Sequence, residues 1–294
     1  MNSHANLNRN LLLQILRFPL VSILVLYFSL YYVNATGVIF MMTSAHGSVQ
    51  PLVVGVLTVA NMLIVYLSFA YFVERRPVSE LALSRMGREL GIGLLLGFSL
   101  MTACVVIAMA LGIYRIDGLE SWHQLLPSGV ALSLPFFEEM VFRGVVFRIL
   151  QEKFGSWLAL VLSSLLFGGV HFVNEGESLA GIASIAFVYG PMLTAPFMLT
   201  RRLWMGIGLH GAWNYTMGKI FSVSVSGVAS EGLIKATYEG PELLTGGSAG
   251  MEGSLIGILV AVTATVPMLI LAVRLGNIVP PSWKPKIARS RLDT

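Results

Sequence analysis

The chain reads as an all-α, polytopic membrane protein, and three observations predict it. Of its 294 residues, 55% are hydrophobic and only 12% charged, a balance far from that of soluble domains. The apolar residues fall into about eight runs, most near the ~20 residues that cross a ~30 Å hydrocarbon core. Lys and Arg gather at the ends of those runs, as membrane topology demands. The net charge of +4 therefore reports orientation and gives no reason to expect a nucleic-acid partner.

The expected spans lie near 11–33, 50–73, 90–114, 128–150, 156–174, 180–200, 203–221 and 253–276, within a single integral-membrane domain over 1–294. The first carries Gln14 and Arg17, is too long for a signal peptide and has no small-residue cleavage site, so it is expected to stay attached. Arg9 precedes it, and the 34–49 connection has neither Lys nor Arg. Arg75, Arg76, Arg85 and Arg88 follow span two, and Arg115 is the only basic residue of 115–127. Arg148 and Lys153 follow span four, Arg201 and Arg202 span six, and the tail carries Arg274, Lys284, Lys286, Arg289 and Arg291. This alternation puts both termini in the cytoplasm of a multi-pass cell-membrane protein. Span five then runs outward, with His171 towards the outer face.

Residues 74–89 read as a short basic connector. Residues 222–252, rich in Gly and Ser, read as a mobile extramembrane loop. No internal repeat is visible, so the inverted-repeat sign of many transporters is missing. The single cysteine, Cys104, sits in an apolar run and is expected to pack. Pro191 and Pro196 are expected to kink span six, whereas His4, His46 and His123 belong to the tail and outer loops and are expected to be solvated. No CxxC, HExxH, Walker or GxSxG pattern appears, which removes the commonest soluble enzyme classes.

The chemistry-bearing groups sit inside three apolar spans. Span four holds Glu138, Glu139 and Arg143, although each charge at a helix centre costs roughly 2.5–3.5 kcal/mol. Glu139 and Arg143 are four apart and share a face, which pairs them. Glu138 points about 100° away and has no local cation. Environments that push neighbouring carboxylates apart in proton affinity are how acid and base roles are assigned. Span five ends on Phe167 and His171, one turn apart, with Gly168 and Gly169 between them. Span seven carries His210 and Asn214, again four apart on one face. Tyr189 and Trp213 border these motifs, positions that suit a cavity wall or interior packing equally.

Glu138-Glu139-x-x-x-Arg143, Phe167-x-x-x-His171 and His210-x-x-x-Asn214, in that order, resemble the three motifs of the CAAX-protease and bacteriocin-processing family, which includes the prenyl-protein endopeptidases. The resemblance covers roughly 80–220, from the approach Leu81-Ala82-Leu83-Ser84-Arg85 to the Leu203-Trp204 start of span seven. It implies an intramembrane endopeptidase of eight helices with its active site inside the bundle. Glu138 and His171 would activate water, His210 and Asn214 would stabilise the oxyanion, and Glu139, Arg143 and Phe167 would support them. The implied substrate is a membrane-associated or lipidated protein or peptide, in contact with the bilayer. No cofactor is implied. Zinc held by Glu138, His171 and His210 is the alternative chemistry, and a non-proteolytic scaffold or immunity protein that keeps the fold is the alternative function.

Overall fold

A computed structural model describes residues 10–43, 50–126 and 128–283. His4, His46 and the basic residues from Lys284 onward lie outside them. Ten α-helices are used as landmarks: α1 (Pro19–Thr43), α2 (Gln50–Phe69), α3 (Met86–Ala110), α4 (Gly129–Glu139), α5 (Arg148–Val170), α6 (Leu179–Ser184), α7 (Gly190–Thr200), α8 (Trp204–Tyr215), α9 (Glu242–Thr245) and α10 (Leu255–Arg274). Six helical segments among the described residues are long and apolar enough to cross a membrane. The longest, Trp122–Val173, contains two of the expected spans. They part at Gly155, whose φ of 77° and ψ of 170° leave the helical region. The span expected at 203–221 forms α8 and a π turn, Thr216–Ile220.

Local chemistry explains where the helices start. Ser128, Ser178 and Ser254 cap α4, α6 and α10, their hydroxyls accepting the backbone N–H of Ala131, Gly181 and Gly257 at 3.1, 3.0 and 2.9 Å. Residues 10–16 are helical, near the expected start, and after a break at Arg17 and Phe18 the chain re-enters helix at Pro19 as α1. Proline suits a first turn, where its missing N–H costs nothing. Arg17, read from sequence as part of the span, instead donates its Nε to the Val73 carbonyl at 2.6 Å, at the end of the second span.

The helices are graded in depth. In the most apolar window of Leu179–Thr200, 72% of residues are buried, against 17% for α1, so α6 and α7 form the middle of the bundle. Leu24, Leu57, Leu95 and Leu259 are exposed on the outer helices, as faces turned to lipid are. α3 and α8 lie backbone to backbone. A Cβ on Gly93 would stand 2.2 Å from the Met205 carbonyl oxygen, and one on Gly97 2.3 Å from that of Leu209. This small-residue seam fixes the height of the helix that carries His210.

The two ends of the bundle differ. At one end a ribbon forms: β1 (Tyr114–Leu119) pairs antiparallel with β2 (Ile234–Tyr238), bulged between Ile116 and Gly118. β2, α9 and all but the last residue of the 3-10 turn Gly247–Gly253 fall in the segment read as an extramembrane loop. The opposite end is held by charge. Glu74 accepts from Arg148 at 2.6 Å and from Arg76 at 2.7 Å, while the Tyr66 hydroxyl donates to Glu80 at 2.6 Å and lies 2.9 Å from the Gly144 carbonyl oxygen.

Candidate active site

Glu139 ends α4, and the chain then runs into a π turn over Met140–Phe147, a local widening frequent at functional sites. Glu139 and Arg143 are both 1% exposed at the side chain, and Arg143 Nη1 donates to Glu139 Oε1 at 2.9 Å. Arg143 is satisfied further by α7, donating Nη2 to the Gly190 carbonyl at 3.1 Å and Nε to Thr194 Oγ1 at 3.3 Å. Its guanidinium also lies 4.6 Å from the centre of the Phe167 ring. The expected pair therefore forms, anchored by two α7 groups that no sequence pattern announced.

His210 sits between the two glutamates. Its Nδ1–H donates to Glu139 Oε1 at 2.9 Å, and its Nε2 lies 3.4 Å from Glu138 Oε2. Glu139 Oε1 thus serves both Arg143 and His210, while Oε2 is buried without a partner. His171 closes α5 and donates Nδ1–H to the Phe167 carbonyl at 2.8 Å. In a neutral imidazole that bond leaves the lone pair on Nε2. Phe167 meets His171, His210 and Phe142 edge-on, with ring centres 5.0, 6.1 and 5.1 Å apart, so one ring sets the orientation of both imidazoles.

A cavity of about 750 Å³ opens beside these groups. Glu138, His171 and Asn214, from three separate helices, line it. Glu138 is 15% exposed at the side chain, so the two adjacent glutamates have opposite settings, one facing a cavity and one sealed. The wall also includes Ser128, Asn174 and Ser226, from the connections at the ribbon end of the bundle, away from the Glu74–Arg148 end.

Residues 120–216 match the family model described as type II CAAX prenyl endopeptidase, Rce1-like. This stretch is therefore similar to the CAAX proteases. The match includes all seven residues assigned from the sequence, Glu138, Glu139, Arg143, Phe167, His171, His210 and Asn214. No curated protein and no solved structure matches the chain.

The matched segment does not build the site alone. Glu252, 5% exposed and just before α10, accepts the backbone N–H and hydroxyl of Ser226 at 2.9 and 2.8 Å on Oε2, and Trp213 Nε1 at 3.3 Å on Oε1. Asn174 Nδ2 donates to the Ser226 carbonyl at 2.9 Å. Ser226, with φ of 45°, is thereby clamped from the His171 side and the Trp213 side at once. A small enclosed chamber lined by Tyr189, Trp213, Glu252 and both imidazoles lies behind it. Neither Glu252 nor Ser226 was legible in advance, because a single acid in a Gly- and Ser-rich stretch carries no periodic signal. Among the described residues, no group of three or more His, Cys, Asp or Glu side chains is arranged to hold a metal ion.

Proposed function

We propose that this protein is an intramembrane endopeptidase in which Glu138 and His171 activate water against a peptide bond of a membrane-associated or lipidated substrate. The observation that carries the reading is the cavity shared by Glu138, His171 and Asn214. Water between Glu138 and His171 Nε2 gives up a proton as its oxygen bonds to the scissile carbonyl carbon. The Asn214 carboxamide, which makes no hydrogen bond among the described residues, donates to the oxyanion that forms. The proton then passes to the departing amine as the C–N bond breaks, giving a free carboxylate and a free amine. His210, read from the sequence as an oxyanion donor, has Nε2 near Glu138 at 3.4 Å and in the resting site orients that base. The seal around Glu139 and Arg143 supports a structural role for both.

The test compares the peptides released by membranes containing the wild type and Glu138→Gln, which keeps shape but removes the base. The variant is expected to reach wild-type abundance while the Glu138-dependent products disappear. Asn214→Ala is expected to retain activity reduced by about 10²–10³-fold, the usual loss for one oxyanion donor. Full activity of Glu138→Gln would overturn the reading and leave a scaffold. Activity lost to chelation and restored by zinc would turn Glu138, His171 and His210 from acid/base groups into ligands.

A further inference from the structure

We propose, resting on the endopeptidase reading, that Asn34 is a substrate-binding residue whose side-chain amide hydrogen-bonds the backbone of the peptide held in the large cavity. Asn34 lies in α1, more than eighty residues before the family match begins. It is 6% exposed, and its Oδ1 is buried with no hydrogen-bond partner. A buried amide left unpaired in an apolar helix is destabilising, and natural folds rarely leave one so. Polar side chains kept at membrane depth ordinarily face a partner or a functional cavity. Here the side chain lines the same cavity as Glu138, His171 and Asn214.

The rest of the helix agrees. Tyr27, Tyr31 and Asn34 are spaced i, i+4, i+7, which places them on one stripe, and all three line the cavity. The tyrosine rings stack with centres 6.1 Å apart, and Tyr31 reaches the Phe137 ring, beside Glu138, at 6.4 Å. An aromatic wall with one amide suits a polypeptide in extended form. The rings take up apolar side chains, but each backbone N–H and C=O brought out of water still needs a partner. A carboxamide offers an acceptor and a donor on one group, so it can serve either, whichever way the amide is turned. The first helix is thereby a wall of the substrate site as well as a membrane anchor.

The probe is an internally quenched, membrane-anchored nonapeptide taken from a protein whose cleavage depends on Glu138, assayed with the full-length enzyme in nanodiscs. Asn34→Leu keeps the volume and removes the amide. KM is expected to rise roughly tenfold with kcat little changed, the pattern produced when substrate is held less tightly but bond breaking is untouched. A scan of backbone N-methylation on the same peptide supplies the second readout. One position is expected to cost the wild type about tenfold and Asn34→Leu almost nothing, since its partner is already gone. That position is sought in the wild type first, so poor folding of the variant does not rescue the idea. An unchanged KM, or no methylation position that separates the two enzymes, would overturn the inference and leave the endopeptidase reading intact. Absence of any Glu138-dependent cleavage would overturn both.

Discussion

Arg143→Met gives the sharpest test of how the site is supported. The substitution removes the guanidinium that bonds Glu139, Thr194 and Gly190 and leaves a carboxylate 1% exposed. Removing one partner of a buried pair typically costs about 3–5 kcal/mol, because the remaining charge keeps its desolvation penalty. Two observations place this case at the low end. Glu139 Oε1 retains the His210 Nδ1–H at 2.9 Å, and the Gly190 carbonyl retains the Thr194 hydroxyl at 2.8 Å. A loss of about 3 kcal/mol corresponds to a fall in melting temperature of roughly 5 °C for a chain of 294 residues. Tryptophan fluorescence during heating of the detergent-solubilised protein reads it directly. Glu139→Gln/Arg143→Met is expected to recover part of the loss, whereas Glu139→Gln alone disturbs His210 as well and so lowers activity more than Arg143→Met does. A melting temperature for Arg143→Met within about 2 °C of wild type, or a double variant as unstable as the sum of the singles, would refute the reasoning.

Two further outcomes follow from particular residues. Gly155→Ala is expected to cost about 1–3 kcal/mol, since φ of 77° with ψ of 170° is a glycine conformation and a Cβ would stand 2.7 Å from Pro281 N; a melting curve unchanged from wild type would contradict it. Glu177, in the connection between Val173 and Leu179, has its carboxyl held above the usual value by burial and then by the Glu252 carboxylate. A raised carboxyl favours the folded state least where it is ionised, so stability falls as pH rises above about 4.5. Glu177→Gln is therefore expected to melt higher than wild type at about pH 7 and no higher at about pH 4; an equal gain at both would show that charge is not the cause.

The two glutamates show what sequence spacing can and cannot say. Spacing of four paired Glu139 with Arg143 because one helical turn brings such residues together, whatever surrounds them. It also separated Glu138 from that pair, and the structure turns one carboxylate to a cavity and seals the other. What occupied the remaining bonds was not legible. Gly190 and Thr194 hold Arg143 from a helix about fifty residues away, and His210 reaches both glutamates across some seventy. The same holds for the charges at the far end of the bundle. Arg76 and Arg148 read simply as topology signals, yet with Glu74, Glu80 and Tyr66 they form a connected network.

Sequence alone determined the membrane class, most of the apolar spans, the three motifs and the family they resemble. Each of these rests on composition or on neighbours within one helical turn, where geometry is set by the backbone. Only the tertiary structure decided that α1 walls the cavity through Tyr27, Tyr31 and Asn34. It also decided that Glu252 holds Ser226 and Trp213 beside the histidines, and that β1 and β2, more than a hundred residues apart, close the ribbon. An asparagine in an apolar helix or an acid in a glycine-rich loop looks the same in the sequence wherever it points. Its role is set by which distant helix packs against it, and that depends on the shape of the whole bundle.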